Sequence, residues 1–266
     1  MNLLEKFKNR NFIVSVEIVP PGSADVSKVI KKASYYKGFV DSIDITDCPM
    51  ANVRLSSFCL GKIIQDETGV ESIFNFTCRD RNIIGTESDL IGAFALGVKN
   101  ILCLWGDPPH LGNRPQAKAV YEVDTLELIS LAKKIGFTVG VATNVSLDGK
   151  NLENLEKKVS AGADFAITQP VYTLAKVKEA KEIEEKFDIP ILLGILPVTD
   201  AKKAKNISEK VPGIDIPEEF ISDLEKNGRK VGIEKSKEIF LAAKENLAGV
   251  QFMMREPEIL GEIIGD

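Results

Sequence analysis

The chain has 266 residues, 44% of them hydrophobic and 27% charged, with a net charge of -5, four cysteines and one histidine. Its 34 Lys+Arg against 39 Asp+Glu give no basic field for nucleic acid, and apolar runs such as Ile191 to Val198 fall far short of the roughly 20 residues of a membrane span. With His110 alone in a Pro/Gly loop and no C-x-x-C among the cysteines, a histidine triad, histidine-based metal catalysis, a structural zinc and a resident iron–sulfur cluster all lack their usual residues.

In chain order, the N-terminus MNLLEKFKNR has no signal-peptide core, so a cytoplasmic protein is expected, with Cys48, Cys59, Cys78 and Cys103 kept as thiols. β-Branched runs follow at 12–19, 40–46, 71–78, 100–106, 138–144, 165–170, 191–198 and 249–254. Most are almost continuously apolar, the pattern of parallel strands buried on both faces. Amphipathic segments separate them. Thr86, with Asp89 three residues on, is expected to cap one helix, and Val123, Leu126, Ile129 and Ile135 mark the buried face of the next. Gly97, Gly136 and Gly162 stand where left-handed helix caps are wanted. Between the last two strands, Pro212 and Pro217 leave room for a short extra helix before a long one at 229–247.

Eight strand and helix units in about this length predict a (β/α)8 TIM barrel, a single domain over 1–266 with no linker. The alternative is a doubly wound open sheet. Its dinucleotide-binding form would show G-x-G-x-x-G after an early strand, and neither that motif nor a Walker A loop occurs.

A barrel carries its active site where strands end and βα loops begin. The polar residues there are Glu17, Asp44, Thr46, Asp47, Asn75, Thr77, Asp107, Asn144, Thr168 and Gln169. Glu17 in SVEIVPP and Asp107 in LWGDPP stand out as carboxylates set among apolar residues and followed by stiff Pro-Pro pairs. A single strand-end acid is more often solvated or paired with a lysine. Two at one barrel mouth can divide the labour, one protonated as an acid and the other ionised to stabilise a cation.

SVEIVPP, TDCP, FTC, LWGDPP, SAGADFAITQPVY and GILPV, in this order over nearly the whole chain, resemble methylenetetrahydrofolate reductases of the compact bacterial form. The resemblance implies a flavin, usually FAD, that passes a hydride to 5,10-methylenetetrahydrofolate and yields 5-methyltetrahydrofolate. It implies Glu17 as the acid that opens the five-membered ring, Asp107 as the charge near flavin and pterin, and Gln169 as an amide on the pterin edge. Flavin contacts are implied at Thr46 or Asp44, Asn75, Trp105, Gly106, Asp107 and Tyr121, and at Asn154, Lys157 and Lys158 on the helix at 150–161. Singly, Lys157 and Lys158 read equally well as a solvated helix face.

The chain departs from the family at Asn75, where many members have histidine, at Trp105, where they have arginine, and at Lys203, where glutamine is usual. Arg255 is left as the candidate for the folate glutamate tail. The resemblance also implies an oligomer without a second regulatory domain, and NAD(P)H or an iron–sulfur subunit as electron donor. Other functions stay open on the residues: flavin-free methyl transfer by a pterin-binding barrel, direct hydride transfer from a nicotinamide, and a binding subunit whose Glu17 and Asp107 would point away from the mouth.

Overall fold

The apolar runs become strands that pair in chain order, each parallel to the next, until the eighth returns to the first and closes a barrel. The computed structural model describes residues 2–210, 213–254 and 256–265. Strands β1 (Ile13–Ile18), β2 (Ser42–Ile45), β3 (Glu71–Thr77), β4 (Asn100–Leu104), β5 (Thr138–Thr143), β6 (Phe165–Pro170), β7 (Ile191–Ile195) and β8 (Gly249–Phe252) are mostly shorter than the apolar runs that foretold them. The runs continue into loops, as in Val19 and Pro20 after β1, because the barrel mouth is itself partly apolar.

Helix α1 (Leu3–Lys8) precedes the barrel, and α2 (Ser27–Tyr36), α3 (Ser57–Thr68), α4 (Ile83–Ala95), α5 (Thr125–Ile135), α6 (Gly149–Ala161) and α7 (Leu174–Phe187) are the first six crossovers. Three helices, α8 (Ala201–Lys210), α9 (Glu218–Asn227) and α10 (Arg229–Asn246), fill the seventh connection, one more than the sequence suggests, and α11 (Glu258–Ile264) follows β8. Pro217 is the N-cap residue of α9, whereas Pro212 lies outside the described residues. Among the described residues no helix is long and apolar enough to cross a membrane. All four cysteines are free.

Helix ends follow local chemistry. Gly136 and Gly162 cap α5 and α6 at φ 110° and 115°, and Gly97 follows α4 at 88°, a region that costs glycine nothing. The expected cap at Thr86 is displaced: Asn82 caps α4 by accepting from the Gly85 N–H, and Thr86 is buried within the helix. Asparagine is as good an N-cap as threonine and stands one residue before the helix, so it takes the role. On α5 and its lead-in, Val123 and Ile129 are buried, with Leu126 and Ile135 partly so.

The strand period of two divides each strand between helix layer and barrel interior. Outward residues such as Val16, Ile18, Ile43 and Ile45 pack on Ala33, Tyr36, Leu60 and Ile64. Inward, Ile13, Ile73, Leu102, Phe165, Ile167 and Leu192 fill the lower barrel, and α1 plugs it with Leu3 and Phe7. The Phe7 and Phe165 rings stack at 5.2 Å. Gly140 makes space for that ring, since a Cβ there would lie 2.4 Å from it.

The β8–β1 seam depends on a second glycine. Gly249 pairs with Ile13, and a Cβ on it would stand 2.3 Å from the Ile13 carbonyl oxygen. Backbone cannot retreat there without opening the barrel. Gly249→Ala is therefore expected to cost about 1–3 kcal/mol of stability, read as a lower urea midpoint at unchanged slope; an unchanged midpoint would refute the close approach.

Candidate active site

Above the apolar plug, the inward positions turn polar. Glu17 lies opposite Asp44 in the β1–β2 register, and Asn75 on β3 and Gln251 on β8 share that parity. Gln251 Nε2 donates to Asp44 Oδ2 at 2.9 Å. Glu17 is half-buried at the end of β1. Desolvation pushes its carboxyl pKa above the ordinary glutamate value, with Lys32 opposing the rise. The expectation that one acid of the mouth sits in an environment favouring its protonated form thus has a physical cause at Glu17.

Asp44 lies deeper than a loop residue at the strand end would. It is 2% exposed and points into the barrel because it shares the parity of Ser42, between the outward Ile43 and Ile45. Thr46, just past β2, is also buried. Its Oγ1 has no hydrogen-bond partner among the described residues.

The loops after β2 and β4 lock together on one side of the mouth. Asp107 is exposed at the rim, and its Oδ2 accepts from the Met50 N–H at 2.9 Å. Met50 belongs to a run in which Cys48, Met50 and Ala51 all take left-handed φ values of 45°, 53° and 53°. Such backbone persists only when its surroundings enforce it. Part of the enforcement comes from Gly112, where a Cβ would lie 1.9 Å from the Ala51 carbonyl oxygen.

Beneath this clamp lies Arg79, which the sequence reading does not single out. It is 2% exposed, donates from Nη1 to the Asp107 carbonyl at 3.1 Å, and binds both carboxylate oxygens of Asp80 at 2.8 and 2.7 Å. Asp47 ties the same region to β3, its Oδ2 accepting from the Thr77 N–H and hydroxyl at 3.0 Å and from Arg81 Nη1 at 3.3 Å. In the segment TCRDR these charges look like a solvated loop. The fold buries Arg79 and half-buries Arg81, while Asp80 stays exposed beside them.

Trp105 and Tyr121 form an aromatic plate at the rim, their rings 4.3 Å apart and 6° from parallel. The Tyr121 hydroxyl donates to the Gly106 carbonyl at 3.0 Å. Trp105 remains 50% exposed, so the indole does not simply fill the barrel top. Gly106 has φ 92°, and a Cβ would meet Thr77 Cβ at 2.9 Å. The protein's own packing already demands glycine there, whatever a cofactor adds.

On the opposite side, half-buried Gln169 at the end of β6 helps line a cavity of about 370 Å³ with Asn144, Tyr172, Lys176, Gly213 and Asp215. A second cavity of about 620 Å³ at the start of α6 is lined by Asn144, Asp148, Lys150, Asn154 and Lys157. Lys157 pairs with Glu153 at 2.7 Å on the exposed helix face. Lys158 instead turns inward, donating to the Ala142 carbonyl at 2.8 Å, and burial lowers its pKa. It ties α6 to β5, a role its neighbour does not share. Arg255 lies outside the described residues.

Glu17, Asp107, Gln169 and the aromatic plate all stand at the same end of the barrel, the end at which an α/β barrel works. The donors and surfaces fit a flavin: a planar aromatic face half open to solvent, an unpartnered buried hydroxyl at Thr46, and lysines beside the α6 cavity.

A family model described as methylenetetrahydrofolate reductase matches residues 2–252. The chain is 25% identical over 225 residues to the 5,10-methylenetetrahydrofolate reductase of Buchnera aphidicola subsp. Schizaphis graminum, covering 80% of this chain and 75% of that one. It is 26% identical over 207 residues to the Escherichia coli K12 protein of the same name, covering 74% and 68%. A solved oxaloacetate acetylhydrolase superposes with a TM-score of 0.55 at 13% identity, covering 94% of this chain and 78% of that one, a likeness of fold alone.

Proposed function

The chain belongs to the methylenetetrahydrofolate reductase family, and we propose from that premise how its own residues serve the reaction. It is an oxidoreductase that reduces 5,10-methylenetetrahydrofolate to 5-methyltetrahydrofolate in a flavin-dependent hydride transfer. Bound flavin supplies the hydride. The observation that carries the assignment of roles is Glu17, a half-buried carboxyl at the barrel mouth whose pKa is raised by desolvation.

A carboxyl whose surroundings favour its protonated form can give its proton to a leaving nitrogen. Glu17 thus protonates the substrate nitrogen as the five-membered ring opens, leaving positive charge on the folate. Asp107, fixed at the rim by Met50, opposes that charge with its own. Gln169 presents a neutral amide, donor and acceptor together, to the mixed hydrogen-bonding edge of the pterin beside the 370 Å³ cavity.

The flavin would be held by Trp105, Tyr121 and Gly106 on one side, by Thr46, and by Asn154 with Lys157 at the α6 cavity. FAD is the flavin we assign, because the lysines beside that cavity suit the pyrophosphate that FAD carries and FMN lacks. Denaturation of the purified protein is expected to release FAD, identified by its retention and mass. Release of FMN alone would overturn the choice. The electron donor is taken to be NADH, NADPH or an iron–sulfur subunit. Flavin reduction by each nucleotide and then by an artificial dye separates these: bleaching by dye alone points to the protein donor.

A further inference from the structure

Asp44 is unlike the other residues of the mouth, being a carboxyl sealed within the barrel and aimed at no cation among the described residues. In the strand register it is the direct neighbour of Glu17, on the same inward face of adjacent parallel strands, whose backbones lie about 5 Å apart. On this inward face of β2, β3 and β8, Asp44 Oδ1, Asn75 Oδ1 and Gln251 Oε1 are each buried with no hydrogen-bond partner among the described residues. The cluster is rich in acceptors and short of protons, and a proton on a carboxyl removes that imbalance by turning one acceptor into a donor.

We propose, building on Glu17 as the proton donor, that Asp44 and Glu17 hold one proton in common and that Asp44 is the positioning residue that keeps Glu17 loaded.

The electrostatics agree in direction. Burial pushes the Asp44 pKa well above the ordinary value and the nearby Glu17 charge pushes it further, while the Ile45 N–H, Asn75 and Gln251 favour the ionised form. On Glu17, burial raises the pKa and Lys32 of α2, whose Nζ donates to the Met254 carbonyl at 2.9 Å, lowers it. Two like charges this close do not both form readily, so the last proton leaves the pair at a higher pH than it would leave Glu17 alone. When the shared proton passes through Glu17 to the folate nitrogen, both carboxyls are left ionised, with Gln251 and Asn75 stabilising the Asp44 carboxylate. Solvent at the mouth later returns one proton to the pair.

The test follows the infrared band of protonated carboxyls from pH 4 to 10 in the wild type, Asp44→Asn, Gln251→Met and Glu17→Gln, alongside the pH profile of folate reduction. Differences between wild type and variants isolate the pair from all other carboxyls. In Asp44→Asn the remaining Glu17 proton and the alkaline limb of turnover are both expected to move down by about one pH unit or more. Gln251→Met, which removes a donor from the Asp44 anion, moves the last proton upward. Asp44→Glu restores the wild-type limb. If the infrared titration in Asp44→Asn matches the wild type's last step, or Gln251→Met shifts it downward, the shared proton is refuted. Should Glu17→Gln retain full turnover, Glu17 is not the acid, and the infrared titration still decides whether the pair shares a proton.

Discussion

Glu17→Gln is expected to lower turnover of 5,10-methylenetetrahydrofolate by at least about a hundredfold, the usual weight of a positioned general acid. Glutamine keeps the shape of the side chain and loses only the transferable proton. The residue is inward-facing near the end of β1, where its backbone pairs with Asp44 of β2, so a change of side-chain group leaves the strand pairing in place. Flavin content and flavin reduction by the donor should therefore stay near wild type, because neither step takes a proton from Glu17. Stopped-flow measurement of the two half-reactions separates these outcomes. A variant that reduces folate at near the wild-type rate removes Glu17 from the mechanism.

Asp107→Asn is expected to slow folate reduction by about ten- to a thousandfold, about 1.4 to 4 kcal/mol of barrier. The side-chain oxygen of the introduced asparagine can still accept from the Met50 N–H, so the clamp on the strained β2 loop survives while the charge is lost. The flavin reduction potential should rise, since a nearby negative charge no longer opposes electron gain. Potentiometric titration and the folate half-reaction test the two parts separately. An unchanged potential with an unaffected half-reaction would leave Asp107 as a loop clamp and nothing more.

The barrel was legible because strands buried on both faces must be apolar almost throughout, and eight such runs at regular spacing admit few closed arrangements. Ends were less legible, because Val19, Pro20 and Val198 continue the apolar pattern after pairing stops. At the site, Glu17, Asp107 and Gln169 could be read from strand ends and motifs. Asp44 was legible as a polar strand residue but was assigned to the cofactor; the period of two from Ser42 carries the signal that it faces inward.

Gln251 escaped notice inside GVQFMM, where one amide in an apolar run looks incidental until β8 closes against β1 and brings it to Asp44. Arg79 escaped for the opposite reason, since a cluster of charges in sequence usually means solvent. Only the packing of the β2 and β4 loops over it makes the guanidinium a buried support. From the sequence Gly106 reads only as a flavin contact. The neighbours that require it are Thr77 and Arg79.

The most direct test of the central claim is a single-turnover experiment in which the protein, its flavin reduced by light under anaerobic conditions, is mixed with 5,10-methylenetetrahydrofolate and no other donor. Oxidised flavin absorbance is expected to return while one 5-methyltetrahydrofolate forms per flavin reoxidised. A flavin that stays reduced, or is reoxidised without that product, would contradict the assignment of this barrel as a flavin-dependent methylenetetrahydrofolate reductase.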